Sequence, residues 1–247
     1  MGEVWEDASN KIAYSERRKY LQGNELDSVM NYPLKHAIIH FVQTGKTFQL
    51  RETLSMLLDN YPKETVDCLM SILGTHDTPR ILTVFGGKTC SGKDEMAVTF
   101  MTERDKARAK QQVMMAAVLQ FTLPGVPCIY YGDENAMEGY QDPFCRRCFD
   151  WINTDEELLA FYQKLGQIRR QSDVFRNGEY REIFADSGCL VYERRTAEEA
   201  IYVWVNNSHG EYSIHADGTY RELLTDTIFS VRLECRPKSY GLFRKIK

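Results

Sequence analysis

Thr75, His76, Asp77, Thr78 and Arg80 set hydroxyls, an imidazole, a carboxylate and a guanidinium together immediately after the apolar run Cys68–Gly74. If that run is a strand in a sheet of strand–helix repeats, these groups stand at its carboxyl end, where such sheets carry their chemistry. Alone, the stretch also fits a polar loop in which Asp77 caps the next turn and His76 packs. Glu3 and Trp5 lie two residues apart near the start of the chain, and strand alternation would point both the same way. A carboxyl group beside a large ring suits a sugar, because the ring stacks on its apolar face while the acid protonates a leaving oxygen. The same pair also fits an exposed acid beside a core tryptophan.

Further on, the apolar run Val126–Tyr131 delivers Gly132, Asp133 and Glu134 at its far end, and Asp142, Arg146 and Arg147 follow in a polar loop. These last three suit sugar hydroxyls or a solvated ion pair. Cys145 and Cys148 form a Cys-x-x-Cys pair, but zinc would need two more ligands at comparable spacing, and no second such pair exists. A redox pair of the thioredoxin kind would open a helix after a strand. Packing or an opportunistic disulfide is the simpler expectation. GGKTCSGK superficially resembles a phosphate-binding loop, yet Gly92-Lys93-Asp94 lacks the hydroxyl that would hold magnesium.

The elements that must position these groups alternate. Gly2–Asp7 reads as the last piece of a strand, an abrupt place to begin, which suggests missing upstream sequence. Leu26–Tyr32 is a short strand, and Pro33 suits the first turn of a helix through about Val42. Phe48–Asn60 is a helix with one apolar face, Cys68–Gly74 a buried strand, and Leu82–Lys93 a loop. Asp105–Phe121 is a helix stopped by Pro124-Gly125, and Val126–Tyr131 a buried strand. Thr154 and Glu157 form a capping box for a helix to about Gln171. Strand, helix, strand, helix, strand implies parallel strands with covering helices. From Tyr180 the texture changes to short β-rich runs separated by turns, which predicts an antiparallel sandwich after a boundary near Ser172–Gly178.

The chain has 247 residues, 43% of them hydrophobic, and a net charge of −4 with the signs interspersed. That is enough apolar material for a real core, and no basic block suggests nucleic acid. Neither a secretory leader nor an apolar run of membrane-spanning length is evident. Seven cysteines, an odd and scattered set, favour reduced thiols and a cytoplasmic setting.

GEVWEDAS, LGTHDTPR and GVPCIYYGDE followed by DPFCRRC together resemble the later signature regions of the alpha-amylase family of glycoside hydrolases, nearest its neopullulanase and cyclomaltodextrinase branch. The resemblance covers the whole chain. It implies an α/β fold, the second half of a (β/α)8 TIM barrel over residues 1–172, followed by an all-β antiparallel sandwich over 178–247. It also implies retaining cleavage of α-glucosidic bonds in maltodextrin, pullulan or cyclodextrin-type glucans; separately, no cofactor and no metal are expected, since the residues show no metal-binding set.

By position in those motifs, Glu3 matches the general acid/base and Asp77 the carboxylate that stabilises the transition state. His76, Trp5, Arg80, Asp142 and Arg146 match substrate-binding positions. The family's nucleophile belongs to an earlier motif that this chain does not contain, although a retaining site needs it about 5–5.5 Å from the acid. The chain alone is therefore expected to be inactive. Its expected partners are an α-glucan oligosaccharide and either the missing N-terminal half of the barrel or further copies of itself, with no nucleic acid or membrane. Two other functions remain: a non-enzymatic amylase-like carbohydrate-binding or interaction protein, and an α-glucosyl transferase or isomerase on the same barrel.

Overall fold

Four segments of the chain lie side by side in parallel, in the order in which the chain visits them. The computed structural model describes residues 1–246. Within it Gly2 bridges to Val29, Met30 bridges to Met70, and β3 (Met70–Ser71) pairs with β4 (Val126–Pro127). Gly2 N donates to Ser28 O at 2.9 Å, Met70 N to Val29 O at 3.1 Å and Val126 N to Leu69 O at 2.7 Å. Gln120 adds a clamp, its amide donating to Ser71 O and to Cys128 O, each at 3.0 Å. A small hairpin of β1 (Ile12–Ala13) and β2 (Glu16–Arg17) sits in the connection after the first segment.

Helices separate these segments. α1 (Tyr32–Thr44) starts where Asn31 accepts from Leu34 N at 3.1 Å and Pro33 has no N–H in need of an acceptor. It ends at Gly45, whose φ of 74° closes the last turn on Phe41 O. α2 (Phe48–Asn60) and α3 (Lys63–Asp67) lead to β3, and α4 (Ile81–Gly86), α5 (Lys93–Val98) and α6 (Glu103–Thr122) lead to β4. α7 (Glu156–Arg170) and α8 (Val174–Asn177) follow.

The last third is one six-stranded antiparallel sheet: β5 (Glu179–Asp186), β6 (Cys189–Arg195), β7 (Ala200–Asn206), β8 (Tyr212–Glu222), β9 (Ile228–Cys235) and β10 (Ser239–Lys245), in the order β5-β6-β7-β10-β8-β9. A register shift in β8 between Ala216 and Thr219 divides that strand: Tyr220–Glu222 pair with β10, while its earlier residues pair with β9 alone. The β8–β9 ribbon thereby folds over the sheet. Alternation does the rest. Leu190, Tyr192, Ile201, Val203, Val205 and Leu242 join the main core with the helices, whereas Cys189, Val191, Trp204, Leu233, Cys235 and Phe243 form a second core under the ribbon. The two layers expected of a sandwich thus come from one continuous sheet.

Polar contacts fasten that sheet to the helices. Arg194, fully buried, donates to Thr122 O at 2.7 Å and to Gly178 O at 2.9 Å. Asn207 donates to Phe41 O and Val42 O at the end of α1. The boundary segment is itself packed, with Val174 and Phe175 fully buried.

Four expectations need correction. The parallel strands are far shorter than Leu26–Tyr32, Cys68–Gly74 and Val126–Tyr131, because only their central residues meet a neighbour's backbone. Val126–Tyr131 is also not buried: Val126, Ile129 and Tyr131 are exposed, since among the described residues no strand covers that edge. Leu82–Lys93 is not a loop throughout, because α4 occupies its start. The cap of α7 is Asp155, which accepts from Leu158 N at 2.9 Å; Glu157 pairs instead with Lys110 at 2.6 Å.

Candidate active site

The ends of the parallel segments carry the residues singled out from the sequence. Just beyond Gly2, Glu3 Oε1 accepts from Trp5 Nε1 at 3.1 Å and from the Tyr32 hydroxyl at 3.2 Å. Trp5 and Tyr32 stack, their ring centroids 4.0 Å apart and their planes 15° from parallel. Tyr32 is fully buried and Trp5 is 42% exposed. One face of the indole is therefore backed by a fixed ring, leaving area free for an apolar ligand face. Burial pushes the Tyr32 phenol up to about 12; Thr75 works against this, while the charges of Glu3 and, less, of Asp77 add to it. The phenol thus sits between the acid near the start of the chain and the Thr75–Thr78 loop.

That loop is built by its own hydroxyls. Thr78 Oγ1 accepts from Thr75 N at 3.2 Å and from Lys35 Nζ at 2.7 Å, and Thr75 Oγ1 accepts from Asp77 N at 3.3 Å. Its outer side is exposed. His76 Nε2 lies 3.1 Å from Asp77 Oδ2, and Arg146 reaches Asp77 Oδ1 at 3.2 Å, His76 O at 3.0 Å and Asp142 Oδ1 at 2.8 Å. Cys145, buried, donates its thiol to the same His76 carbonyl at 3.1 Å. The structure therefore brings His76, Asp77, Asp142 and Arg146 into one cluster.

Arg80 does not join them at the surface. It is fully buried, with its guanidinium 4.8 Å from the Tyr130 ring centroid and 4.6 Å from that of Tyr131; it donates to Tyr131 O and lies 3.7 Å from Asp133 Oδ1. A side chain with no exposed surface cannot touch a sugar, so the expected substrate-binding role of Arg80 is corrected to support from beneath.

Asp133 lies against Gly74, where an added Cβ would come within 2.2 Å of Asp133 Oδ2. Burial pushes the Asp133 carboxyl up to about 7 against the pull of Arg80, and burial pushes Lys35 down to about 8 against the pull of Asp133. Lys35, Arg80 and Asp133 thus form a buried polar floor under the His76–Asp77 loop.

Sequence reasoning missed Tyr32 and Lys35 as parts of this site. The signal was present: the end of Leu26–Tyr32 falls on the same rim as Glu3 and His76. Cys145 and Cys148 differ in surroundings, one buried and one exposed. Among the described residues, no group of three His, Cys, Asp or Glu side chains is placed to hold a metal, and no helix is long and apolar enough to cross a membrane. Chemically, the surface offers an acid, an aromatic platform, and a carboxylate held between an imidazole and a guanidinium.

A family model described as "Alpha amylase, catalytic domain" matches residues 1–151. A cyclomaltodextrinase from a Bacillus species is 30% identical over 220 residues, which cover 87% of this chain and 34% of that protein. Neopullulanase 2 of Thermoactinomyces vulgaris is 33% identical over 218 residues, covering 85% of this chain and 32% of its own length. The solved structure of a cyclomaltodextrinase superposes with a TM-score of 0.76 at 26% identity, over 99% of this chain and 40% of that one. The chain spans about a third of the length of the curated relatives it matches.

Proposed function

The chain belongs to the alpha-amylase family, and from that premise we propose that it supplies the acid and the transition-state-stabilising side of a retaining α-glucan hydrolase. Its substrates are maltodextrin, pullulan or cyclodextrin-type glucans, and the nucleophile comes from a preceding barrel segment. The observation that carries this reading is the start of α1: Tyr32 hydrogen bonds Glu3 and backs Trp5, and Lys35, 5.5 Å from the Tyr32 ring centroid, bonds Thr78 next to Asp77.

In this reading Glu3 protonates the glycosidic oxygen while Trp5 receives the leaving sugar on its free face. Asp77, oriented by Arg146 and His76, faces the oxocarbenium-like charge that develops at the anomeric carbon. His76 bonds a hydroxyl of the same sugar, and Asp142 with Arg146 grips it from the side. The carboxylate that attacks the anomeric carbon would stand about 5–5.5 Å from Glu3.

Four parallel segments in chain order, followed by an antiparallel sheet, support assigning residues 1–172 to the second half of a (β/α)8 barrel. The edges at Gly2 and at Val126–Pro127 are those that a completed barrel would pair.

The test is calorimetric titration with maltotriose. Binding by the chain, lost in Trp5→Ala and weakened at least several-fold in Asp77→Asn, is expected. Affinity unchanged in both variants would remove the sugar from this rim. A second reading, a carbohydrate-binding protein without catalysis, rests on the half-exposed Trp5 platform backed by Tyr32. It predicts binding without turnover even after the barrel is completed.

A further inference from the structure

We propose that Cys189 and Cys235 are disulfide partners, joined across the second core of the C-terminal sheet when the chain folds in the presence of a low-molecular-weight disulfide. Neither residue takes part in the site described above.

The sheet register brings them together. Cys189, the first residue of β6, is paired directly with Asn206 of β7, so the two side chains leave the same face. The Asn206 amide donates to Cys235 O at 3.2 Å and to Arg236 O at 2.9 Å, which pins the end of β9 over that pair. Asn206 is fully buried and cannot shift aside without stranding those carbonyls. Cys189, fully buried, and Cys235, 3% exposed, pack in one apolar cluster with Val191, Trp204, Leu233 and Phe243. Both are free thiols, and contact with the Cys189 thiol, then burial, pushes the Cys235 thiol up. The other five cysteines lack this arrangement. Cys68 and Cys148 are exposed, Cys90 and Cys128 half-buried, and Cys145 is spent on the His76 carbonyl.

The chemistry is thiol–disulfide exchange. One cysteine thiolate attacks the small disulfide, forming a mixed disulfide and releasing one thiolate. The second cysteine thiolate then attacks the protein sulfur, closing the Cys189–Cys235 bond and expelling the other thiolate. The protein is oxidised by two electrons and gives up two protons, and the small disulfide is reduced to two thiols. Buried thiols held in the neutral form react slowly, so the bond forms before β9 closes over β6. Once formed it is sheltered from reductant. It also ties the edge strand β9 to the far side of the sheet, shortening the excursions of the unfolded chain.

The test uses the full chain, unfolded and refolded either in a mixture of oxidised and reduced glutathione or in excess dithiothreitol. Thiols are titrated after denaturation, and non-reducing peptide maps locate any bond. The seven thiols should fall to five in the glutathione mixture, with one linked peptide pair containing Cys189 and Cys235 and a raised melting temperature. The dithiothreitol sample should keep all seven. Cys235→Ser refolded in glutathione should keep its remaining six; if that variant does not fold, the wild-type map decides alone. Seven thiols after oxidative refolding, or a bond joining a different pair such as Cys145 and Cys148, overturns the proposal.

Discussion

Tyr32 holds Glu3 through its hydroxyl and Trp5 through its ring, so a substitution that removes only the hydroxyl separates the two roles. In a completed barrel, Tyr32→Phe should keep KM for maltotriose within about twofold, because the stack survives. Its kcat should fall roughly fivefold, the equivalent of one net hydrogen bond of ~1 kcal/mol to the acid. Steady-state kinetics check this, and a rise in KM with kcat unchanged would assign Tyr32 to sugar binding instead.

The buried floor makes a separate prediction about pH. Asp133 is pushed up to about 7, so the folded protein holds a proton there that the unfolded chain releases from about pH 4 upward. The stabilising contribution of that proton is present at low pH and is lost as pH rises toward 7. Melting temperatures of wild type and Asp133→Asn should therefore diverge in favour of the variant between pH 4.5 and 7.5. Parallel curves would mean that Arg80 keeps the carboxylate charged throughout. Lys35, pushed down to about 8, acts in the opposite sense over a higher window: its burial penalty is present below about pH 8 and relieved as pH rises toward the unfolded value.

At the scale of elements, helix caps give the sharpest test. Asp155→Ala should cost about 1 kcal/mol, whereas Thr154→Ala should change stability by less than about 0.5 kcal/mol. Equal losses in urea unfolding would restore the capping box read from Thr154 and Glu157. That reading failed because Asp155 and Thr154 are both good caps, and Lys110 on α6 draws Glu157 away from the helix start. The long helices α1, α2, α6 and α7 were legible because each carries an apolar face together with a start or stop signal. The strands were legible in order but not in length, since backbone pairing depends on neighbours remote in sequence.

The candidate site was legible as types and positions. Glu3, Trp5, His76, Asp77, Asp142 and Arg146 all lie on accessible surface, and the last four touch through Arg146. Arg80 was misread because an arginine after His-Asp looks solvent-facing in a string of letters. Only the fold shows Tyr130 and Tyr131 closing over it. Lys35 was invisible for the same reason, as a lysine on a helix is ordinarily exposed and here it is buried against Thr78.

For the whole molecule, Val126, Ile129 and Tyr131 are exposed beside an open strand edge, and such an edge is expected to draw chains together. Sedimentation velocity should show self-association that rises with concentration, and addition of a complementary N-terminal barrel segment should suppress it. A monodisperse monomer at all concentrations would contradict the open-edge account. The two-layer sheet, by contrast, has its own second core, so it should remain folded when the barrel edge is perturbed.

The most direct test of the central claim is maltotriose hydrolysis, followed by product chromatography, for this chain alone and for the chain joined to the first half of a cyclomaltodextrinase barrel. The account predicts no turnover alone, turnover with retained anomeric configuration in the joined protein, and a loss of at least about a thousandfold on Glu3→Gln. Turnover by the isolated chain, or a joined enzyme indifferent to Glu3→Gln, would contradict it.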